Sequence, residues 1–140
     1  MSRAGYSDDY DHEDQWGHIM WRGQVASSIR GKRGQAFLRE LVAALDAMPE
    51  RRLIRDDLRN SEGVCAIGSV GAARGIDLEA LDPHDYDGIA AAFGIAAPLV
   101  RELEYTNDEC SLSGKETPEA RWQRVRDWAA AQIKPGAAHG

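Results

Sequence analysis

The chain has 140 residues, 43% of them hydrophobic and 29% charged, with a net charge of -6. That length supports one domain with a modest core, and that composition belongs to an ordinary globular chain. No run of about 18 apolar residues occurs, so no membrane-spanning helix is expected.

Charge is unevenly placed, which says more than the total. Residues 1–14 hold five acids and one base, residues 30–59 eight bases and five acids, and residues 60–116 eleven acids and three bases. A basic patch on an acidic body is the expectation. Residues 1–13 offer little to bury and read as a disordered acidic arm. They lack the apolar segment of a secretory signal.

The predicted domain runs from residue 14 to 134, with a frayed tail over 135–140. In "DQWGHIMWRGQVASSIR", Trp21, Val25 and Ile29 recur at helical spacing, with Trp16, Ile19 and Met20 on neighbouring faces. "GKRG" breaks that pattern. "QAFLRELVAALDAM" follows as the clearest helix, with Phe37, Leu38, Leu41, Val42 and Leu45 on one stripe. Pro49 ends it, and "RRLIRDDLR" is compatible with either a short helix or an extended segment.

"NSEGVCAIGSVGAARGID" suggests a phosphate loop but matches neither glycine-rich fingerprint. A packed helix is the better expectation: Ser61 as cap, Val64, Ile67, Gly68 and Gly71 inward, and Gly75 as left-handed C-cap. "LDPHDYDGIAAAF" predicts a helix capped by Asp82 with Pro83 at its first position. "APLVRELEYTND" predicts the next, and "TPEARWQRVRDWAAAQI" the last, with Thr117 as cap and Trp122, Val125, Ala129 and Ile133 facing the core. The sum is an all-α domain of about five to seven helices with no convincing strand. The tryptophans cluster near the chain's two ends, which predicts that the first and last helices pack together and share them.

Two segments carry a binding signal. "IAAAFGIAAPLVREL", residues 89–103, places Ala90, Gly94 and Val100 where a helix-turn-helix reader needs them. Its second helix offers no base-reading side chain before Arg101, so an αα-corner is the commoner reading. "RGKRG" supplies Arg30, Lys32 and Arg33, with Arg22 one helix earlier. It opens straight into a helix N-terminus, a geometry that attracts phosphate or carboxylate. The plain alternative is a solvated loop. The acidic 77–87 region is a second contact candidate.

Other chemistry finds little support. His12 and His84 sit among carboxylates, but neither an EF-hand register nor zinc spacing appears, so no metal ligand is assigned. Cys65 lies in an apolar stretch and Cys110 in an acidic loop, neither placed for catalysis or for a redox pair. No catalytic residue and no cofactor is predicted, and the paucity of cysteine makes a reduced cytoplasmic setting the expectation.

Through "WRGQVASSIRGKRGQAFLRELVAALDAMPERRLI", "GVCAIGSVGAARGID", "IAAAFGIAAPLVRELEYTNDE" and "TPEARWQRVRDWAAAQI", covering residues 14–133, the chain resembles a family of small proteins encoded in bacteriophages and prophages of proteobacteria. The resemblance implies no established activity and no site. It implies context: a phage accessory protein in the cytoplasm of a bacterial host, of a kind that binds and redirects a host component. By analogy, the expected function is host takeover or defence inhibition without catalysis. The expected partner is a host protein, with nucleic acid as the alternative and no membrane. The oligomeric state is left open.

Overall fold

Phe37, Leu38, Leu41 and Leu45 carry the organising stripe of the molecule, and all four are buried. They lie on a helix because their three- and four-residue spacing lines one face of a 3.6-residue repeat. The computed structural model describes residues 15–109 and 115–135, with side chains from residue 19 onward. In chain order its elements are α1 (Gln15–Arg30), α2 (Lys32–Ala47), β1 (Arg59–Asn60), β2 (Gly63–Val64), α3 (Ala66–Arg74), a 3-10 turn (Leu78–Ala80), α4 (Tyr86–Phe93), α5 (Ala97–Asp108) and α6 (Pro118–Gln132). The architecture is predominantly α.

α2 packs on both α3 and α6, while α5 meets α1, α3 and α4. One apolar core runs through them, with Val70, Ile89, Phe93, Leu99, Leu103, Trp122 and Val125 joining the α2 stripe. Phe37 and Phe93 meet edge to face, with ring centroids 6.2 Å apart. Full burial of each large side chain is worth about 1.5–3 kcal/mol, which makes this core the main source of cohesion.

Several expectations are corrected in detail. The segment 51–58 forms no helix: residues 55–58 bend, with Asp56 at φ 67°, while Leu53, Ile54 and Leu58 are buried and Ile54 N donates to Val64 O. That pairing draws residues 59–64 into a small antiparallel hairpin, Arg59 opposite Val64, so Ser61 lies in its turn and caps nothing. The helix starts later, capped by Cys65, whose Sγ accepts from Gly68 N at 3.4 Å. Its predicted end at Gly75 holds, in the left-handed conformation (φ 75°). α4 is capped by Asp85, not Asp82. The Asp82 carboxylate instead accepts from His84 N, forming a local turn before the helix.

The tryptophans also part company. α6 packs chiefly on α2, where Trp122 Nε1 donates to Leu45 O at 3.2 Å, while Trp21 of α1 faces Arg101 of α5. The Thr117 cap of α6 is as expected, since Thr117 Oγ1 accepts from Ala120 N, and Trp122, Val125 and Ala129 are buried, while Ile133 lies past the helix end and is half-buried. The acidic arm, Cys110 and the end of the tail lie outside the described residues.

Candidate functional site

Gly31 alone separates α1 from α2. Its extended backbone (φ -68°, ψ 165°) turns the chain, and no side chain caps the helix that follows. Gly34 makes the turn tight: a Cβ there would lie 1.9 Å from Ser28 O, so the start of α2 rests directly on the last turn of α1. Gln35, 5% exposed, fastens the corner. Its amide nitrogen donates to Ile29 O at 2.8 Å and to Gln132 O at 3.0 Å, and its Oε1 accepts from Lys134 N at 2.8 Å. The two carbonyls belong to the last turns of α1 and α6, where a helix leaves its own acceptors unmet. Lys134 Nζ adds a bond to Arg30 O at 2.9 Å.

Three helix ends thus bring Arg30, Lys32, Arg33 and Lys134 to one exposed corner. From Gln15 to Arg39 the sequence contains no acid. Arg30 and Lys134 sit by helix C-termini, where a cation is favoured. Lys32 and Arg33 sit at the N-terminal end of α2 with no acid in its first turn, which costs each about 0.3–1 kcal/mol. Arg30, Lys32 and Arg33 form no ion pair among the described residues. Other arginines do: Arg74 with Glu40 at 2.6 Å, Arg124 with Glu116 at 2.6 Å and Arg126 with Asp46 at 3.1 Å. Lys134 escapes a sequence reading, because its links to Gln35 and to Arg30 O span 99 and 104 positions.

The remaining sequence candidates have other places. Arg22 lies two turns before Arg30 and forms a two-pronged pair with Glu102, at 2.9 and 3.1 Å, strapping α1 to α5. Arg101 is half-buried between two rings, 5.4 Å from Trp21 and 4.8 Å from Tyr86. In the 77–87 region Asp77, Asp82 and Asp85 accept from the backbone N–H groups of Glu79, His84 and Gly88. Those three acids hold turns and caps there. Among the described residues no three His, Cys, Asp or Glu side chains group as a metal site.

Gly94 does turn α4 into α5, with φ 71°. α5, however, is the most enclosed helix: eight of its residues are buried and none of Ala97–Asp108 is exposed. Its second half belongs to an internal polar brace that periodicity does not announce. Asn107 donates to Ile54 O and Asp108 Oδ1 and accepts from Ala66 N, tying α5 to the 51–58 segment and to α3. Arg124 donates to the carbonyls of Thr106 and Asn107 and to both Glu116 oxygens. Arg121 donates to Leu53 O at 2.8 Å. The Arg124 hydrogen bond holds the Glu116 carboxyl below its usual pKa, and burial pulls Arg121 below its own.

An open notch of about 350 Å³ lies between α2 and α6, lined by Asp46, Arg51, Trp122, Gln123 and Arg126. Its charges are occupied: Arg126 grips Asp46, and Arg51 lies 4.8 Å over the Trp122 ring. Among the described residues, the α1–α2 corner brings Arg30, Lys32 and Arg33 together with no ion pair to an acid. Compared with family models, curated proteins and solved structures, the chain matches none.

Proposed function

We propose that the protein works by binding, without catalysis, and that the α1–α2 corner grips an acidic face of a partner protein. One observation carries the reading. Lys32 and Arg33 stand exposed at an uncapped helix N-terminus, where they oppose the helix dipole, and with Arg30 they have no ion pair among the described residues. A charge kept at an electrostatic cost to its own fold is explained by an anion that arrives from outside. The phage and prophage resemblance supplies a setting, in which the partner is a host protein and the chain is an accessory factor of the takeover or defence-inhibitor kind.

Nucleic acid is the second reading. The corner would contact phosphates, but a net charge of -6 opposes a polyanion, and α5 presents no exposed side chain to a groove. The experiment is capture from a bacterial lysate with and without nuclease, comparing the natural chain with Arg30→Glu/Arg33→Glu. The expected result is a protein retained after nuclease and lost with the double variant, whose circular dichroism is unchanged. Equal capture by the folded variant refutes the corner. A signal that vanishes with nuclease, and falls steeply with salt as counterions are released, transfers the function to nucleic acid.

A further inference from the structure

The two helices of the corner are one dihedral angle away from being a single helix. Gly31 N already donates to Ser27 O at 3.1 Å, the next bond of the α1 ladder, and Gly31 O accepts from Gln35 N at 2.9 Å, the first bond of α2. The φ of Gly31, -68°, is helical, and ψ alone departs, at 165° against about -42° in a helix. That one departure leaves the N–H groups of Lys32, Arg33 and Gly34 without an acceptor among the described residues. It also holds Lys32 and Arg33 at the positive end of a helix dipole. Rotation of ψ would join residues 15–47 in one helix about 50 Å long. The three N–H groups would then meet Ser28 O, Ile29 O and Arg30 O, and both cations would stand in mid-helix. The losses are two side-chain bonds, Gln35 to Ile29 O and Lys134 to Arg30 O, and the seat of α1 itself.

That seat is small and specific. Among the described side chains of α1 only Val25 is buried, against six residues on α2. The other holds reach across to α5: Arg22 grips Glu102 through two bonds, and Trp21 lies on Arg101. A straight 15–47 helix carries Arg22 about 13 Å beyond Gly31, away from the body, so the chain's own α5 is left uncovered. The helix that fits it is α1 of another copy, which brings the same Val25, Arg22 and Trp21. We propose that Gly31 is the hinge of such an exchange: opened into one helix, α1 leaves its own body and docks on α5 of a second copy. The second copy does the same in return, and both seats are filled about a twofold axis. Every contact of α1 with α5 is kept, now between chains, and exchange of an identical element is a low-cost route to a dimer. A one-residue hinge invites it.

The test is whether the pair between Arg22 and Glu102 can form across two chains. Arg22→Glu and Glu102→Arg each set like charges together, within one chain or between two copies of it. Mixed one to one, the two variants restore the pair only when each α1 crosses to the other chain. Sedimentation of the full chains at about 1 to 200 µM is expected to show a species of twice 15.4 kDa in the mixture and monomer for each variant alone. A mixture that stays monomeric overturns the exchange. Lys32→Pro in both partners is expected to abolish the mixed dimer. Proline suits the first position of α2 and the extended ψ of the Gly31 before it, but breaks a continuous helix. A mixed dimer indifferent to Lys32→Pro overturns the hinge. If the charge variants lose helicity, Gly31→Ala in the otherwise natural chain decides. Its Cβ would lie 3.5 Å from Ser27 O in the closed form, an ordinary contact. Alanine's helix preference at two hinges should tighten the dimer about 30-fold, and a Gly31→Ala chain still monomeric at about 200 µM refutes the proposal. The readout is mass, so the outcome is independent of what the corner binds.

Discussion

Replacing Gln35 by Leu removes three hydrogen bonds while nearly conserving volume. Ile29 O, Gln132 O and Lys134 N all lose their side-chain partner. Each such bond contributes about 1 kcal/mol net, and a helix-end carbonyl left buried without a partner costs at least as much. The expected loss is about 3 kcal/mol. With a urea slope of about 2 kcal/mol/M for a domain of this size, the unfolding midpoint falls by about 1.5 M. The thermal midpoint falls with it. The assay is paired urea titrations followed by far-UV circular dichroism, at a concentration where association is constant. A midpoint shift under about 0.5 M, with slope unchanged, refutes the claim that Gln35 fastens the three helix ends.

Three further outcomes are expected. Gly34→Ala forces a Cβ to 1.9 Å from Ser28 O and should cost about 2 kcal/mol or more, whereas Gly23→Ala should raise monomer stability by about 1 kcal/mol; differential scanning of both variants reads the contrast, and equal effects refute it. Glu116 has its pKa lowered from 4.5 by Arg124. Its contribution to stability is therefore full above pH 4.5 and lost as pH falls through the lower folded value. Glu116→Gln should flatten the stability–pH curve in that acid window and lower stability at neutral pH, measured by denaturation at a series of pH values. Arg101→Ala uncovers Trp21 and Tyr86 and should cost about 1 kcal/mol, with a red shift in tryptophan emission; unchanged emission counts against the stacked arrangement.

How much of this was legible from the chain depends on how local each cause is. The α2 stripe, the Thr117 cap, the left-handed Gly75 and Gly94 and the turn at Gly31 all follow from contacts within a few residues. Periodicity and capping chemistry reach that far. The corner was half legible. "RGKRG" declared Arg30, Lys32 and Arg33, but Lys134 joins through Gln35 and Arg30 O from about a hundred positions away, and the strap between Arg22 and Glu102 spans 80 positions. The helix-turn-helix spacing at 89–103 was real as geometry, yet spacing says nothing of what covers a helix, and eight of the twelve residues of α5 are buried.

The amino-acid sequence by itself determined that the protein is a helical domain, where its helices end, and which short run concentrates cations away from neighbouring acids. Those properties are set by backbone preferences and by the spacing of apolar and charged residues along one strand of chain. Only the tertiary structure decided which cations remain open, which are used as struts, and why 59–64 became a hairpin. Those outcomes depend on which carboxylates and carbonyls arrive from distant segments.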